Sequence, residues 1–391
     1  MRYFLSVLWC FSIAAQPLQL EVKAAAAMLM NAETGAILYE KQGHTPIYPA
    51  STTKIATALF ALDEKKLSPD QLLTVSEESL RMKPPNKEGP FPPHWWDAEG
   101  TRMWLCPGEN LSVEALMHGM MLVSGNDAAN VIAEGMCGSL SSFSEEINQY
   151  LKKIGCCNTK FLNPHGNHHP EHYTTVYDLC LIAKKALEIP KFREIVSALS
   201  YKKSKTNKQG PSELKQGNHL LMPGGRFYYP KAIGIKTGFH SAAQNTLVAA
   251  ATDQGRTLIV ALAGNAQRED RYFDAIRLFE AAFAEKEEVR FFFGRQHVFS
   301  RELPAAKTLL RAALSSDLSI AYYPCEEPAC RAFIHWLSPN FPIQKGDLVG
   351  EVRIVDQNGS ILKSGDLFAL EEVQGTLFFR IKRAIYKIFG C

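Results

Sequence analysis

Tyr48-Pro49-Ala50-Ser51-Thr52-Thr53-Lys54-Ile55-Ala56-Thr57-Ala58-Leu59-Phe60-Ala61-Leu62 is the stretch around which the rest of the chain is organised. Pro49 and the small Ala50 lead into a run that reads as a helix, with Ser51 in its first turn. Residues three apart share a helix face, so the Ser51 hydroxyl and the Lys54 amine can approach each other. A serine hydroxyl is a weak nucleophile until a nearby base takes its proton. Lysine can be that base when burial or a second cation lowers its pKa. Alone, Ser-x-x-Lys also describes a helix cap with a solvated lysine, so the remaining chain has to decide.

Upstream, Ala27–Asn31 and Ala36–Glu40 are short apolar runs around Ala32-Glu33-Thr34-Gly35, a hairpin signal. Downstream, Leu73–Val75 is a strand candidate. Lys83–Pro107 is crowded with Pro, Gly and Trp and is expected to be irregular. It reads equally as a lid or docking surface and as a packed surface loop. Leu111–Leu122 reads as a helix capped by Ser112. Val123-Ser124-Gly125-Asn126-Asp127 is then a tight turn before a second helical run, Ala128–Met136. Ser144–Ile154 and Thr175–Leu187 are further helices. The loop between them carries Asn163-Pro164-His165-Gly166 and His168, His169 and His172, without the helical or strand spacing that metal ligation needs.

Ala232–Lys236, Thr246–Ala251 and Leu258–Ala263 read as three strands, with Lys236-Thr237-Gly238 at the end of the first and Asp253-Gln254-Gly255 as a turn. Arg271–Ala284 is an amphipathic helix. From about Val289 the pattern shifts to short strand candidates, Val298-Phe299, Ser319–Tyr322, Leu348–Val355 and Ile361–Phe368, with a hairpin turn at Asn358-Gly359. The domains expected are 25–287, a β-rich 288–374 and a terminal 375–391 segment. In the last, Leu377, Phe378, Ile381, Ala384, Ile385, Ile388 and Phe389 share one side and Arg380, Arg383 and Lys387 the other. A basic amphipathic helix of this kind is expected to lie on a membrane surface.

The 391 residues suffice for two domains; 46% hydrophobic and 21% charged residues are ordinary for a globular protein. A net charge of +3 does not point to a nucleic-acid partner. Met1-Arg2-Tyr3 followed by the apolar run Phe4–Ala15 reads as a secretory signal peptide within residues 1–24. Ala14-Ala15 and Ala24–Ala27 both offer small residues for cleavage. Export permits disulfides, and among the nine cysteines Cys325 and Cys330 are expected to form a local one, with Cys137 and Cys180 as buried thiols.

Three elements combine: Ser51-x-x-Lys54, Ser124-Gly125-Asn126 and Lys236-Thr237-Gly238. In this order they resemble the Ser-x-x-Lys, Ser-Asp-Asn and Lys-Thr-Gly set of penicillin-binding proteins and class A β-lactamases, with Gly125 in place of Asp. Pro49–Lys54, Leu122–Ala128, Phe161–Gly166 with His172–Thr175, and Gly234–Phe239 are similar to the D-alanyl-D-alanine carboxypeptidases among low-molecular-mass penicillin-binding proteins. The resemblance covers about residues 25–285, and more loosely the β domain and tail. It implies an α/β (α+β) transpeptidase-like domain, antiparallel sheet plus helical cluster, followed by a small all-β domain. It implies export to the periplasmic face of the bacterial cytoplasmic membrane, no cofactor, peptidoglycan stem pentapeptide as substrate and β-lactams as inhibitors.

On this resemblance Ser51 is acylated by the penultimate D-Ala carbonyl and Lys54 takes its proton. Ser124 passes a proton to the leaving nitrogen, and Asn126 holds the substrate amide. Lys236 and Thr237 suit the terminal carboxylate, Gly238 completes that motif, and the N–H groups of Ser51 and Phe239 form the oxyanion hole. His240 and Gln244-Asn245 stand where many relatives carry Thr and Gly-Tyr. A class A β-lactamase also needs Glu-x-x-x-Asn, and Thr159 occupies the place four before Asn163. An endopeptidase acting on D-Ala cross-links, or a wall-binding scaffold without activity, are the alternatives.

Overall fold

The first strand of the chain, β1 (Leu5–Phe11), belongs to the C-terminal unit described below. Next comes the expected hairpin, β2 (Ala26–Asn31) and β3 (Ile37–Lys41). Its turn is shaped by the Asn31 Oδ1, which accepts the backbone N–H groups of Glu33 and Thr34 at 2.8 and 2.9 Å. The computed structural model describes residues 5–11, 16–84, 89–304, 306–338 and 340–376, and the chain divides into two units, Pro17–Ala284 and Met1–Gln16 with Glu285–Cys391.

In the Pro17–Ala284 unit, a 3₁₀ turn at Ala50–Thr52 runs into helix α1 (Thr53–Asp63). Residues Thr53 to Ala61 of that helix are all buried, so it forms the axis of the helical cluster and not an amphipathic surface helix. Around it lie α2 (Val113–Leu122), α3 (Asn126–Cys137), α4 (Leu140–Lys153), α5 (Val176–Leu187) and α6 (Pro190–Ser197). Ser112 caps α2 as expected, accepting the Ala115 N–H, and Thr175 caps α5 in the same way. α6 starts on Pro190, a good first helical residue, and was not read from the sequence. Two short ladders, β4 (Leu72–Thr74) with β5 (Asn110–Ser112) and β6 (Ser200–Lys203) with β7 (Ser212–Lys215), flank the cluster.

The main sheet adds β8 (Ala232–His240), β9 (Gln244–Asp253) and β10 (Arg256–Asn265) in the order β3-β2-β10-β9-β8, all antiparallel. α5 packs on one face and α7 (Asp270–Phe283) on the other. Coverage on both sides explains why Leu247–Ala251 and Leu258–Ala263 are uninterrupted apolar runs. β8 is the edge strand, and its far end passes the Ser51 turn.

The second unit contains β11 (Glu288–Phe293), β12 (Phe299–Arg301), β13 (Leu310–Leu314), β14 (Leu318–Tyr322), β15 (Cys330–Trp336), β16 (Leu348–Asp356) and β17 (Ile361–Ala369). Six strands pair in the order β1-β15-β16-β17-β13-β12, and β11 pairs with β14. Cys330, Ala332, Ile334 and Trp336 alternate inward against Val352, Ile354 and Leu367. Leu5–Phe11, within the apolar run read as a signal segment, is drawn as the edge strand on β15. The run is short and aromatic enough to suit either form. The residues expected to form the terminal amphipathic helix, 377–391, lie outside the described residues.

The expected Cys325–Cys330 disulfide is overturned: both remain thiols. Cys325 sits in a 3₁₀ turn with its Sγ 2.6 Å from Glu285 Oε2, while Cys330 opens β15 beside the Arg290 guanidinium. The turn sends the two side chains to different partners. Cys137 and Cys180 are thiols, Cys180 fully buried and Cys137 half-buried.

Candidate active site

Ala50, immediately before Ser51, has φ 48°, a left-handed conformation that disfavours a side chain. A short relay holds it there. Leu162 N–H donates to His172 Nδ1 at 3.1 Å, which leaves the His172 Nε2–H to donate to Thr53 Oγ1 at 2.9 Å; Thr53 in turn donates to the Ala50 carbonyl at 2.9 Å. Burial first, then neighbouring histidines, push His172 down to about 3, so it stays neutral in this relay. Gly166 lies against the same carbonyl. A Cβ there would fall directly on Ala50 O, and its φ of +85° also favours glycine. The strained turn thus presents Ser51 half-buried at the head of a fully buried helix.

Lys54 is completely buried with three partners: Ser51 Oγ at 3.0 Å, Asn126 Oδ1 at 2.7 Å and the His165 carbonyl at 2.8 Å. Burial, followed by the field of Lys236, holds its pKa well below the ordinary lysine value, and Asp127 opposes the shift. A neutral amine has two N–H bonds and one lone pair. The amide oxygen of Asn126 and the carbonyl of His165 can only accept, so they take the two N–H groups. The lone pair is left for the one partner able to donate, the Ser51 hydroxyl.

Ser124 occupies a left-handed turn, φ 63°, between α2 and α3. Asn126 is already in the first turn of α3 and not on the loop, its N–H donating to Thr101 O at 2.9 Å. Thr101 Oγ1 donates to Ser124 O at 2.7 Å. The buried Asp127 carboxylate receives the N–H groups of Met103, Leu105 and Ala128. Burial raises its pKa and these amides pull it back. Part of the 83–107 loop is therefore bolted to this turn. The His94 carbonyl adds a further anchor, accepting from His165 Nε2 and Asn130 Nδ2 at 3.1 Å each. Between a mobile lid and a packed loop, these bonds favour the packed one.

Lys236 is buried, donates to Thr237 O at 2.9 Å, and is lowered to about 7 by burial and then by Arg271. Thr237 is half-buried and the Phe239 side chain is 66% exposed. A Cβ on Gly238 would come within 2.9 Å of Ser51 N and closer still to Thr246 Oγ1. β8 therefore runs along the first turn of the nucleophile helix, and glycine is what allows the approach. Gly238→Ala is expected to leave folding measurable but to slow covalent capture of labelled penicillin roughly 100-fold by pushing the strand off the Ser51 N–H; a capture rate within twofold of the parent would contradict this packing.

Structure thus brings Ser51, Lys54 and Asn126 into direct contact and lays the Lys236–Phe239 strand beside them, with Ser124 on the turn that carries Asn126. Sequence reasoning missed the supports. His165, His172 and Asp127 fell within the stretches that carry the family resemblance, but no supporting role was read for any of them. Arg271 looked like the polar face of a helix, yet it is buried and donates to Gly238 O at 3.0 Å and Thr246 O at 3.3 Å. Thr159 does not face Ser51; its hydroxyl donates to Asp178 at 2.7 Å. Among the described residues, no group of three or more His, Cys, Asp or Glu side chains is placed to hold a metal ion.

A sequence model of the D-alanyl-D-alanine carboxypeptidase family, peptidase family S11, matches residues 12–267. The chain belongs to this family. Its similarity to the D-alanyl-D-alanine carboxypeptidase DacF of Bacillus subtilis is 27% identity over 363 residues, 91% of this chain and 87% of that protein. The D-alanyl-D-alanine carboxypeptidase of Streptomyces sp. K15 is 30% identical over 67% of this chain and 88% of its own length. The crystal structure of DacD from Francisella tularensis superposes with a TM-score of 0.62, covering 94% of this chain and 97% of that one, at 24% identity, which speaks to the fold. The crystal structure of the Streptomyces K15 DD-transpeptidase covers 68% of this chain and 99% of its own, with TM-score 0.59 and 28% identity. The serine peptidase assignment of the S11 family agrees with a Ser51–Lys54 pair in hydrogen-bond contact.

Proposed function

We propose that this S11 family member is a serine D-alanyl-D-alanine carboxypeptidase that removes the terminal D-Ala from peptidoglycan stem pentapeptides. The observation that carries the reading is the Lys54 amine, desolvated and committed to two acceptors so that its lone pair meets the Ser51 hydroxyl. Ser51 Oγ attacks the penultimate D-Ala carbonyl as Lys54 takes its proton. The N–H groups of Ser51 and Phe239 stabilise the oxyanion. Ser124 hands a proton to the departing D-Ala nitrogen, and water then hydrolyses the ester. Asn126 holds the substrate amide, and Lys236 with Thr237 binds the terminal carboxylate along the β8 edge. β-Lactams, which present a carboxylate and a strained amide, acylate Ser51 by the same route.

The two lysines have opposite requirements. Lys54 must be neutral, which burial and the field of Lys236 favour, and Lys236 must be charged although burial and then Arg271 lower it to about 7. kcat/KM for D-Ala release from a pentapeptide is expected to fall on the alkaline side as Lys236 loses its charge near pH 7 in the free enzyme. Lys236→Arg keeps the charge and should remove the alkaline limb. Cleavage of cross-linked dimers to monomers in preference to D-Ala release from pentapeptide would replace the carboxypeptidase by an endopeptidase. Peptidoglycan binding without D-Ala release or penicillin capture would support the scaffold.

The cellular setting is proposed from sequence. The basic start and apolar run before residue 24 support export, and the 377–389 pattern supports attachment of the exported protein to the membrane surface. Among the described residues no helix is long and apolar enough to cross a membrane.

A further inference from the structure

The segment that locks onto Asp127 alternates its side chains. Met103 and Leu105 turn inward, each 8% exposed, while Trp104 between them is 67% exposed. Its backbone is left-handed, φ 64°, a conformation a bulky residue adopts only when its surroundings enforce it. The enforcing contacts are the Asp127 carboxylate on the flanking amides and Gln209 Nε2, which donates to Trp104 O. The indole is thus held out into solvent on a fixed support.

Arg102 covers it. The guanidinium carbon lies 3.8 Å from the centroid of the Trp104 ring and 5.6 Å from that of Trp96, with Nη1 3.1 Å from Met82 Sδ. Stacking fixes the plane of the cation and leaves its remaining N–H groups free. Two nearby carboxylates are engaged elsewhere: Asp97 pairs with Lys83 at 3.3 Å, and Glu78 with His94 and Arg81. Among the described residues no carboxylate forms an ion pair with Arg102. One residue back, Thr101 bonds both Ser124 and Asn126. The platform is therefore continuous with the turn assigned to the substrate amide.

We propose that Arg102 and Trp104 form a rim subsite for a carboxylate borne by the substrate peptide upstream of its D-Ala-D-Ala end. The proposal rests on the carboxypeptidase reading and adds a preference to it. An acidic side chain entering past Asn126 meets a preoriented guanidinium fork, and the indole beneath supplies an apolar shelf for the adjoining methylenes.

Two synthetic pentapeptides ending in D-Ala-D-Ala test it, identical except that one carries a free carboxylate two residues before that end and the other its amide. The parent protein is expected to favour the acid by about tenfold in kcat/KM, and to lose that preference as salt is raised. Arg102→Gln should abolish the preference, Arg102→Lys retain part of it, and Trp104→Ala reduce it. Capture of labelled penicillin should stay within twofold in all three, which also reports that each variant is folded, and kcat/KM on the amide peptide should stay within twofold in the two Arg102 variants. An equal loss on both peptides, or an unchanged preference in Arg102→Gln, overturns the subsite. So does a loss confined to Trp104→Ala on polymeric peptidoglycan, which would assign the indole to a sugar face. Parent protein that neither captures penicillin nor releases D-Ala would instead refute the underlying activity.

Discussion

Ser51→Ala is expected to abolish covalent capture of labelled penicillin and to lower D-Ala release from a pentapeptide by roughly 10⁴-fold or more. Losses of this size follow when the nucleophile of a base-coupled pair is removed, because the other groups act only through it. Ser51 Oγ is the one atom to which the Lys54 lone pair is directed, with the strained Ala50 turn, the His172 relay and Gly166 all fixing its position. Alanine suits the same 3₁₀ turn, so the variant should fold. It removes one hydrogen bond at a half-buried position, a cost of about 1 kcal/mol. Intact-mass measurement after incubation with a penicillin checks the adduct directly. A stable adduct on the Ser51→Ala protein would move the nucleophile elsewhere and dissolve the proposed mechanism.

Lys54→Arg should be nearly as damaging, and for a different reason. The change preserves positive charge and donor capacity, but guanidinium does not give up its proton in proteins. A site that must present a lone pair to Ser51 would receive a permanent cation, buried and close to Lys236. Acylation by penicillin is expected to fall at least ~10³-fold, and thermal stability to drop because a second permanent cation is buried near Lys236 with no carboxylate hydrogen-bonded to it. Lys54→Met separates these effects: acylation should fall by a similar factor while the stability loss is smaller, since no buried charge remains. Rapid-quench acylation and thermal melts on both variants give the comparison. If Lys54→Arg acylates at near the parent rate, Lys54 is not the base.

Much of this site was legible in the sequence because its chemistry is concentrated in short motifs. Ser51 and Lys54 sit three apart, a spacing that fixes their proximity on any helix, and Lys236-Thr237-Gly238 ends a run that could only be a strand. What the motifs do not carry is their support. His172 reaches Thr53 across more than a hundred residues, and Asp127 gathers amides from a loop whose proline and glycine content identified it only as irregular. Pairings of that kind depend on tertiary closure, which no local period encodes. The second unit shows the same limit: β16 and β17 flank an Asn-Gly turn and were readable, whereas β11, β13 and β15 lack a turn signal of comparable strength. The Cys325–Cys330 expectation failed because closeness in sequence says nothing about where two side chains point once a turn and a strand intervene.

β8 ends the sheet with one rim unpaired by any further strand among the described residues, and that has a cost beyond catalysis. Any extended backbone can zip onto an uncovered strand, including that of a neighbouring copy. Natural proteins usually hide such rims, yet here concealment would shut out the peptide the enzyme is built to receive. On the function proposed above, the Lys236 ammonium, buried along this rim, favours a chain terminus bearing negative charge.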